Sequence, residues 1–331
     1  MKKSVYPFAA VRAIAILLLL LTLTGCSGDK EQVLIYTSAE DYRIEYLSKR
    51  LQEEFPQYEI IVEYMSTGNH AAKLLAEGTV TPCDISYDLE YSYMSQLSEA
   101  GVFADLSERY NMSIYEDAAR ESDYYIVEYR NGGGIILNTE VLKDRGLPEP
   151  TSYQELLKPE YQGLISMPNP KASGTGYMFL KSLVNAWGEE KAFAYFDQLT
   201  ENILQYTSSG SGPVNALLQG EAAIGLGMVG QAVTEINNGA PLKVVYFAEG
   251  SPYSFYGQAM ISGSEERPCV QAVFDFLINT YCYENNEKFF PEKIYKDRDY
   301  TIKNYPQNIV YGDMSGNTIE EKNRLLELWK Y

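Results

Sequence analysis

The sequence predicts an α/β protein of two lobes. Three observations predict it: apolar strand-like runs alternate with helical periodicity, the alternation comes in two sets, and a glycine run separates them. Val33-Leu34-Ile35-Tyr36 is the first apolar run, followed by the polar Thr37-Ser38-Ala39-Glu40 and by Ile44, Leu47, Leu51 and Phe55 at helical spacing. Ile60 to Tyr64, the loop Ser66-Thr67-Gly68-Asn69-His70 and a helix through Leu74, Leu75 and Ala76 repeat the pattern. Asp84 to Tyr87 gives a third strand, then Met94, Leu97 and a stop at Gly101. Tyr124 to Tyr129 is β-rich, and Asn131-Gly132-Gly133-Gly134 joins it to the strand Ile135-Ile136-Leu137. Three glycines permit large backbone rotations, so this segment reads as a crossing between lobes. The second set holds the strand Gly163 to Met167, helices over Gly176 to Trp187, Ala192 to Leu199 and Val214 to Leu218, and the strand Val244 to Phe247. Beyond Tyr253-Ser254-Phe255-Tyr256-Gly257 come one more strand, Ala259 to Ile261, and a helix over Val270 to Tyr281. From Glu284 onward the chain is rich in Tyr and Asn, and its weak periodicity assigns no element.

A chain of 331 residues, 45% hydrophobic and 22% charged, is long enough for one large domain or two ordinary ones and is not disordered. Lys plus Arg number 27 against 45 Asp plus Glu, and the net charge of −18 argues against a general affinity for nucleic acid or anionic lipid. The 29 tyrosines, against 2 tryptophans, favour rings that can line wet, polar-edged surfaces. A histidine-based zinc site, a Ser-His-Asp triad or a Cys-His dyad would have to pass through His70, the single histidine.

Residues 1–25 read as a targeting segment: a start with Lys2, Lys3 and Arg12, then an apolar stretch that includes Leu17 to Leu21 and is short of the ~20 residues of a spanning helix. Leu23-Thr24-Gly25-Cys26 resembles a bacterial lipobox, which implies cleavage before Cys26 and lipidation of that residue. Removing residues 1–25 takes away three bases and no acid, leaving an exported body of net charge −21. Residues 26–32 then form a polar tether. Cys83, Cys269 and Cys282 are an odd set, and the last two flank an apolar helical run about 20 Å long, so buried free thiols are expected.

Four Ser/Thr/Gly loops precede helices: Thr37-Ser38, Ser66-Thr67-Gly68, Ser173-Gly174-Thr175-Gly176, and Ser208-Ser209-Gly210-Ser211-Gly212. Each hydroxyl taken alone fits a helix cap. Taken together they fit an anion site built without Lys or Arg, because helix N-termini present unpaired N–H groups and ligands bind at the carboxyl ends of strands in open α/β sheets. Gly225-Leu226-Gly227-Met228-Val229-Gly230 matches a dinucleotide fingerprint, but its place deep in an exported chain favours glycines that allow close strand–helix packing. No G-x-S-x-G elbow occurs, and His70 reads as a solvated loop residue rather than a base. Glu40, Asp41 and Asp88 could pair for glycosidic chemistry, but chance pairs are common among 45 acids.

Several blocks in order carry a family resemblance: Leu34 to Ser38, Ser66-Thr67-Gly68 with Leu74 to Glu77, Asn138 to Leu142, Pro168 to Tyr177, Asn202 to Ser209, and Gly220 to Gly225. From Val33 to Asn279 the chain resembles the extracellular solute-binding proteins of ABC importers, in particular the ferric-ion and 2-aminoethylphosphonate group. The resemblance implies a two-lobed, type II periplasmic-binding-protein-like fold with a hinge and an interlobe cleft. Residues 33–129 plus 252–300 would form lobe 1, residues 130–251 lobe 2, and residues 301–331 a tail packing on both. The iron sites of that group resemble a His after the first strand and consecutive tyrosines after the Gly-Glu segment. Here those positions read Thr37 to Glu40 and Leu226 to Val229, and the one adjacent tyrosine pair, Tyr124-Tyr125, lies elsewhere.

The expected protein is thus a monomeric, lipid-anchored, non-enzymatic binding protein on the outer face of the membrane or in the periplasm, without cofactor or metal. It would pass a phosphonate, organophosphate or other oxyanion to a permease. Ligand donors would be Ser66, Thr67, Gly68, Ser173, Gly174, Thr175, Gly176, Ser208 and Ser209, with Thr37 and Ser38 from the first lobe and Tyr253 or Tyr256 as one wall. A polyamine held by tyrosines, Glu40 and Asp88, a ferric-ion protein of the same fold, and an exported hydrolase are the alternatives.

Overall fold

The computed structural model describes residues 30–110, 122–291, 296 and 299–331. The expected targeting segment, the expected lipidation site Cys26 and most of the expected tether lie outside these residues. The first apolar runs become parallel strands β1 (Gln32–Thr37), β2 (Glu59–Tyr64) and β3 (Ile85–Glu90), with β1 in the middle: Val33 lies opposite Ile60, and Ile35 opposite Ile85. Helices α1 (Asp41–Glu54) and α2 (Thr67–Glu77) cross between them and bury Leu47, Leu51, Ala71 and Leu74; α3 (Tyr91–Glu99) follows β3. These apolar positions recur every three to four residues, which is why one face of each helix meets the sheet.

β4 (Ile126–Asn138) is 13 residues long and belongs to both halves of the sheet. Its first half pairs antiparallel with β9 (Tyr253–Met260), from Ile126 opposite Gln258 to Gly132 opposite Tyr253. Its second half pairs with β7 (Ile224–Met228) and β8 (Leu242–Val245). The partner changes between Gly132 and Gly133, where a Cβ on Gly133 would lie 2.9 Å from Pro252 and 3.0 Å from Phe179. The sheet runs β2-β1-β3-β9-β4-β7-β5-β6, where β5 is Ile165–Pro168 and β6 is Ile203–Thr207. Helices α4 (Thr139–Asp144), α5 (Gly174–Trp187), α6 (Glu189–Leu199), α7 (Gly212–Leu218) and α8 (Val229–Asn237) complete the second half. Two cores result. One gathers Val33, Ile35, Leu74, Ile85, Val273 and Phe274; the other gathers Ile135, Ile165, Phe179, Phe196, Ile224 and Trp329.

Several expectations are corrected. His70 is not a solvated loop residue: it lies in the first turn of α2, is 0% exposed, and shares a 3.1 Å hydrogen bond with Ser86 Oγ. The helix expected over Val270 to Tyr281 is α9 (Pro268–Phe276), and the wider π turn Leu277–Tyr281 leads from it into α10 (Cys282–Phe289). The unassigned C-terminal region holds α11 (Ile319–Leu328), with Leu325 and Trp329 in the second core. Strand β9 begins at Tyr253, earlier than expected, and Tyr124 lies just outside β4. Cys83, Cys269 and Cys282 are buried thiols that form no disulfide among the described residues. In the glycine fingerprint β7 runs directly into α8 with no phosphate-cradling loop; a Cβ on Gly225 would meet Leu217 at 3.1 Å, and one on Gly227 would meet Ile136 at 3.1 Å.

Candidate functional site

Strands β1, β2, β5, β6 and β7 all end at one cavity of about 220 Å³. The first lobe supplies Ser38 to Asp41, Tyr64, Ser66 and Thr67; the shared strands supply Asn131 and Tyr256; the second lobe supplies Ala172, Ser173, Thr175, Ser208 to Ser211 and Met228. These residues include no Lys, Arg, His or Cys. Three helices of 11 to 14 residues begin at the cavity: α1 after Glu40, α2 after Ser66 and α5 after Ser173. None of those three N-cap side chains accepts from a backbone N–H of its own helix, so the cap reading does not account for them. The Ser66 and Ser173 hydroxyls and the first-turn N–H groups remain available to a solute.

Of the residues expected from sequence, Ser38, Ser66, Thr67, Ser173, Thr175, Ser208, Ser209 and Tyr256 line the cavity. Thr37 does not: it is buried, and its hydroxyl accepts the Ala39 N–H at 3.1 Å. Gly68 sits behind the wall, where a Cβ would lie 3.4 Å from the Lys171 carbonyl oxygen. Gly174 and Gly176 serve close packing, since a Cβ would come within 2.4 Å of the Tyr256 hydroxyl at Gly174 and within 2.4 Å of the Pro168 carbonyl at Gly176. Tyr253 is displaced altogether. Three positions from Tyr256 on one strand, it points to the opposite face, packs edge-on against Tyr311 and lines a separate cavity with Tyr91, Met314 and Asn317.

Sequence reasoning missed Tyr64, Asn131 and Met228 as lining residues, and weighed Asp41 only as a chance glycosidic carboxylate and Glu40 only as that or as an amine ligand. Asn131 is 1% exposed and its Oδ1 has no partner, while its side chain bonds to Tyr256. A buried amide with a free acceptor at a cavity wall points to a ligand donor. Its one sequence signal is a polar side chain at the head of the glycine crossing.

The first-lobe wall rests on buried charge. Arg43 Nη1 donates to Glu40 Oε2 at 3.0 Å, Asp88 Oδ1 at 2.9 Å and the Tyr129 hydroxyl at 2.8 Å, and the guanidinium lies 4.5 Å from the Tyr129 ring centre. Asp88 reaches Arg43 because β3 bulges between Tyr87 and Leu89, where Asp88 takes φ 59°; the Ser38 hydroxyl donates to the Asp88 carbonyl in the same bulge. Burial raises the pKa of Glu40, whose side chain is 9% exposed, against the opposing pull of Arg43; nearby Asp88 adds to the rise. Burial likewise holds Tyr256 well above the ordinary phenol value, reinforced by Glu90, Asp88 and Glu40, so it stays a neutral donor. The site is thus a pocket of neutral hydroxyls and N–H groups with two carboxylates on one side.

Two lobes joined by shared strands, with a polar cavity where both sets of parallel strands end, define a solute-capturing protein of the periplasmic-binding class. The chain belongs to the bacterial extracellular solute-binding protein family, which matches residues 81–291. A Haemophilus influenzae protein described as uncharacterized is 29% identical over 266 residues, covering 78% of this chain and 76% of that one. The phosphoglycerate transport regulatory protein PgtC of Salmonella typhimurium is 27% identical over 156 residues, 45% of this chain and 37% of that protein. The periplasmic binding protein AfuA from Actinobacillus pleuropneumoniae, solved with exogenous fructose-6-phosphate bound, superposes with a TM-score of 0.78 at 25% identity, covering 91% of this chain and 98% of that one. The chain is a solute-binding component of a bacterial ABC-type import system; proteins of this kind bind small molecules, work with permeases and are not enzymes. The family is extracellular, and among the described residues no helix is long and apolar enough to cross a membrane.

Proposed function

We propose that the cleft captures a small organic oxyanion, with an organophosphate or phosphonate favoured over a simple carboxylate. The observation that carries this is the neutral-donor pocket at the start of α5, where Ser173 and Thr175 face the Ser208 to Ser211 loop and the beginning of α2. Unpaired N–H groups and hydroxyls hold an anion without a cation. Glu40 and Asp41 would then take the hydrogen-bond donors of the solute's body, such as hydroxyls. The fructose-6-phosphate bound to AfuA and the phosphoglycerate in the name of PgtC support the same chemical class. Segments 130–133 and 251–253 act as the hinge, and Cys26 carries the lipid that tethers the monomer near its permease.

A thermal-shift panel of fructose-6-phosphate, 3-phosphoglycerate, 2-aminoethylphosphonate and spermidine tests the reading. A specific solute at about 100 times its Kd stabilises by about 2.7 kcal/mol. Stabilisation by spermidine with none from the three oxyanions would establish the amine reading, which the carboxylates of Glu40 and Asp41 favour. Membrane retention of a Cys26→Ala variant would exclude the lipid tether.

A further inference from the structure

One buried ion pair lies outside the cleft. Glu90, the last residue of β3, and Lys322, on α11, are each 1% exposed. Lys322 Nζ donates to Glu90 Oε2 at 2.6 Å and to Ser92 Oγ at 3.1 Å, and lies 3.8 Å from the Tyr93 ring centre and 4.7 Å from that of Tyr177. The other Glu90 oxygen accepts from Ser254 Oγ at 2.6 Å and Asn317 Nδ2 at 3.3 Å.

These contacts join the lobes. Glu90, Ser92 and Tyr93 belong to the first. Helix α11 is seated on the second: Leu325 and Trp329 lie in its core, Glu321 pairs with Lys181 of α5 at 3.4 Å, and Arg324 pairs with Glu189 of α6 at 2.7 Å. The helix is therefore a strut between the lobes, anchored in the core of the second and reaching Glu90 of the first with its buried cation. Glu90 also underlies the cleft wall. It pairs in register with Tyr256, and a Cβ on Gly174, the first residue of α5, would lie 3.7 Å from Glu90 Cγ.

We propose that Lys322 and Glu90 are positioning residues of the solute site, pinning the start of α5, with Ser173 and Thr175, at a fixed orientation to the first-lobe wall. Parting the lobes at this point would either separate two buried charges or lift Leu325 and Trp329 out of the second core. Both are costly. Motion is thus confined to rotation about a point beside the shared strand β9, and the unliganded protein already holds its donors in near-binding geometry, which lowers the ordering cost of capture.

The proposal rests on the two-lobed fold and only its affinity readout depends on the oxyanion reading. The test uses the full chain in a Cys26→Ala background, which leaves three buried thiols, with spin labels on Ser48→Cys and Glu201→Cys to report the interlobe distance without solute. Single variants strand a buried charge, so the decisive protein is the Glu90→Gln/Lys322→Met double variant, which removes both. If it does not fold, Glu90→Gln is read in the same way. The double variant should show a broadened distance distribution and, with fructose-6-phosphate as the probe, a Kd about tenfold weaker, equivalent to about 1.4 kcal/mol. An unchanged distribution in the folded variant overturns the proposal. So does a broadened distribution with an unchanged Kd, because the pair would then hold the lobes without serving the site. If the parent protein does not bind fructose-6-phosphate, the oxyanion reading loses that support and the distance measurement alone decides.

Discussion

The two lobes present similar walls to the solute and support them by different means. Beneath the first-lobe wall the chain buries Arg43, His70, Asp88, Glu90 and Glu128. Beneath the second it buries rings: Tyr153, Tyr195, Phe179, Phe196 and Trp329 lie in one core, several of them edge to face. A network of buried titratable groups fixes a wall by direction, through specific donors and acceptors, and depends on protonation. Aromatic packing fixes it by shape and is indifferent to pH. The hydroxyl loops of the two walls should therefore fail under different conditions.

Acid gives the largest expected effect. Burial lowers the pKa of His70 to about 3, and its Nδ1 has no partner. The unfolded chain takes a proton at this site below about pH 6.5, and the folded protein does so only near pH 3. This site's contribution to stability is therefore complete above pH 6.5 and is lost as pH falls from there to about 3, at about 1.4 kcal/mol per unit and up to about 5 kcal/mol in all. Chemical denaturation at pH 7, 5 and 4 should show His70→Gln less acid-sensitive than the parent. Hydrogen exchange at pH 4 should protect β1 and β3 better in His70→Gln than in the parent; equal protection would break the link between His70 and the first-lobe wall.

Removing the central cation comes next. Arg43→Met leaves Asp88 and Glu40 without their partner, which should cost about 3–5 kcal/mol at neutral pH. Adding Asp88→Asn should recover part of that loss in a denaturation series, and no recovery would mean that Arg43 acts through its stacking on Tyr129 and Phe290. On the opposite wall, Ser173→Ala with Thr175→Val removes two hydroxyls from an intact apolar support. Stability should hold while solute affinity, measured by calorimetry, falls by at least about 100-fold, because each hydrogen bond to a charged group is worth about 1.5–3 kcal/mol. Unchanged affinity would remove the start of α5 from the site.

The same contrast governs what the sequence made legible. Parallel strands were readable because β1, β2 and β3 are short apolar runs set off by polar loops, and the hydroxyl loops were readable because they recur ahead of helices. Helices α10 and α11 were not, because their buried faces carry Asn285, Asn286 and Lys322, which erase the apolar period. His70 looked like a loop residue for the same reason: it stands in Ser-Thr-Gly-Asn-His, yet shares a buried face with Ala71 and Leu74. Asn131 and Asp41 are single polar residues with no spacing to betray them, and only the folding of β4 and α1 brings them to one cavity.

The smallest expected effect separates the two tyrosines that sequence left as equals. Side chains alternate across a strand, so positions 253 and 256 cannot face the same cavity. The Tyr256 hydroxyl sits against Gly174 at the start of α5, and its ring stacks on Tyr129 at 5.5 Å. Tyr253 instead stands in a ring cluster with Phe255 and Tyr311, with the Arg130 guanidinium 4.9 Å from its own ring centre. Tyr256→Phe removes a neutral donor from the wall and should weaken solute binding about tenfold, the worth of one hydrogen bond. Tyr253→Phe keeps the ring cluster and should leave affinity within about twofold, the range of substitutions away from special sites. Equal losses in the two variants would mean that solute contacts both faces of β9, which the strand geometry forbids without a change of register.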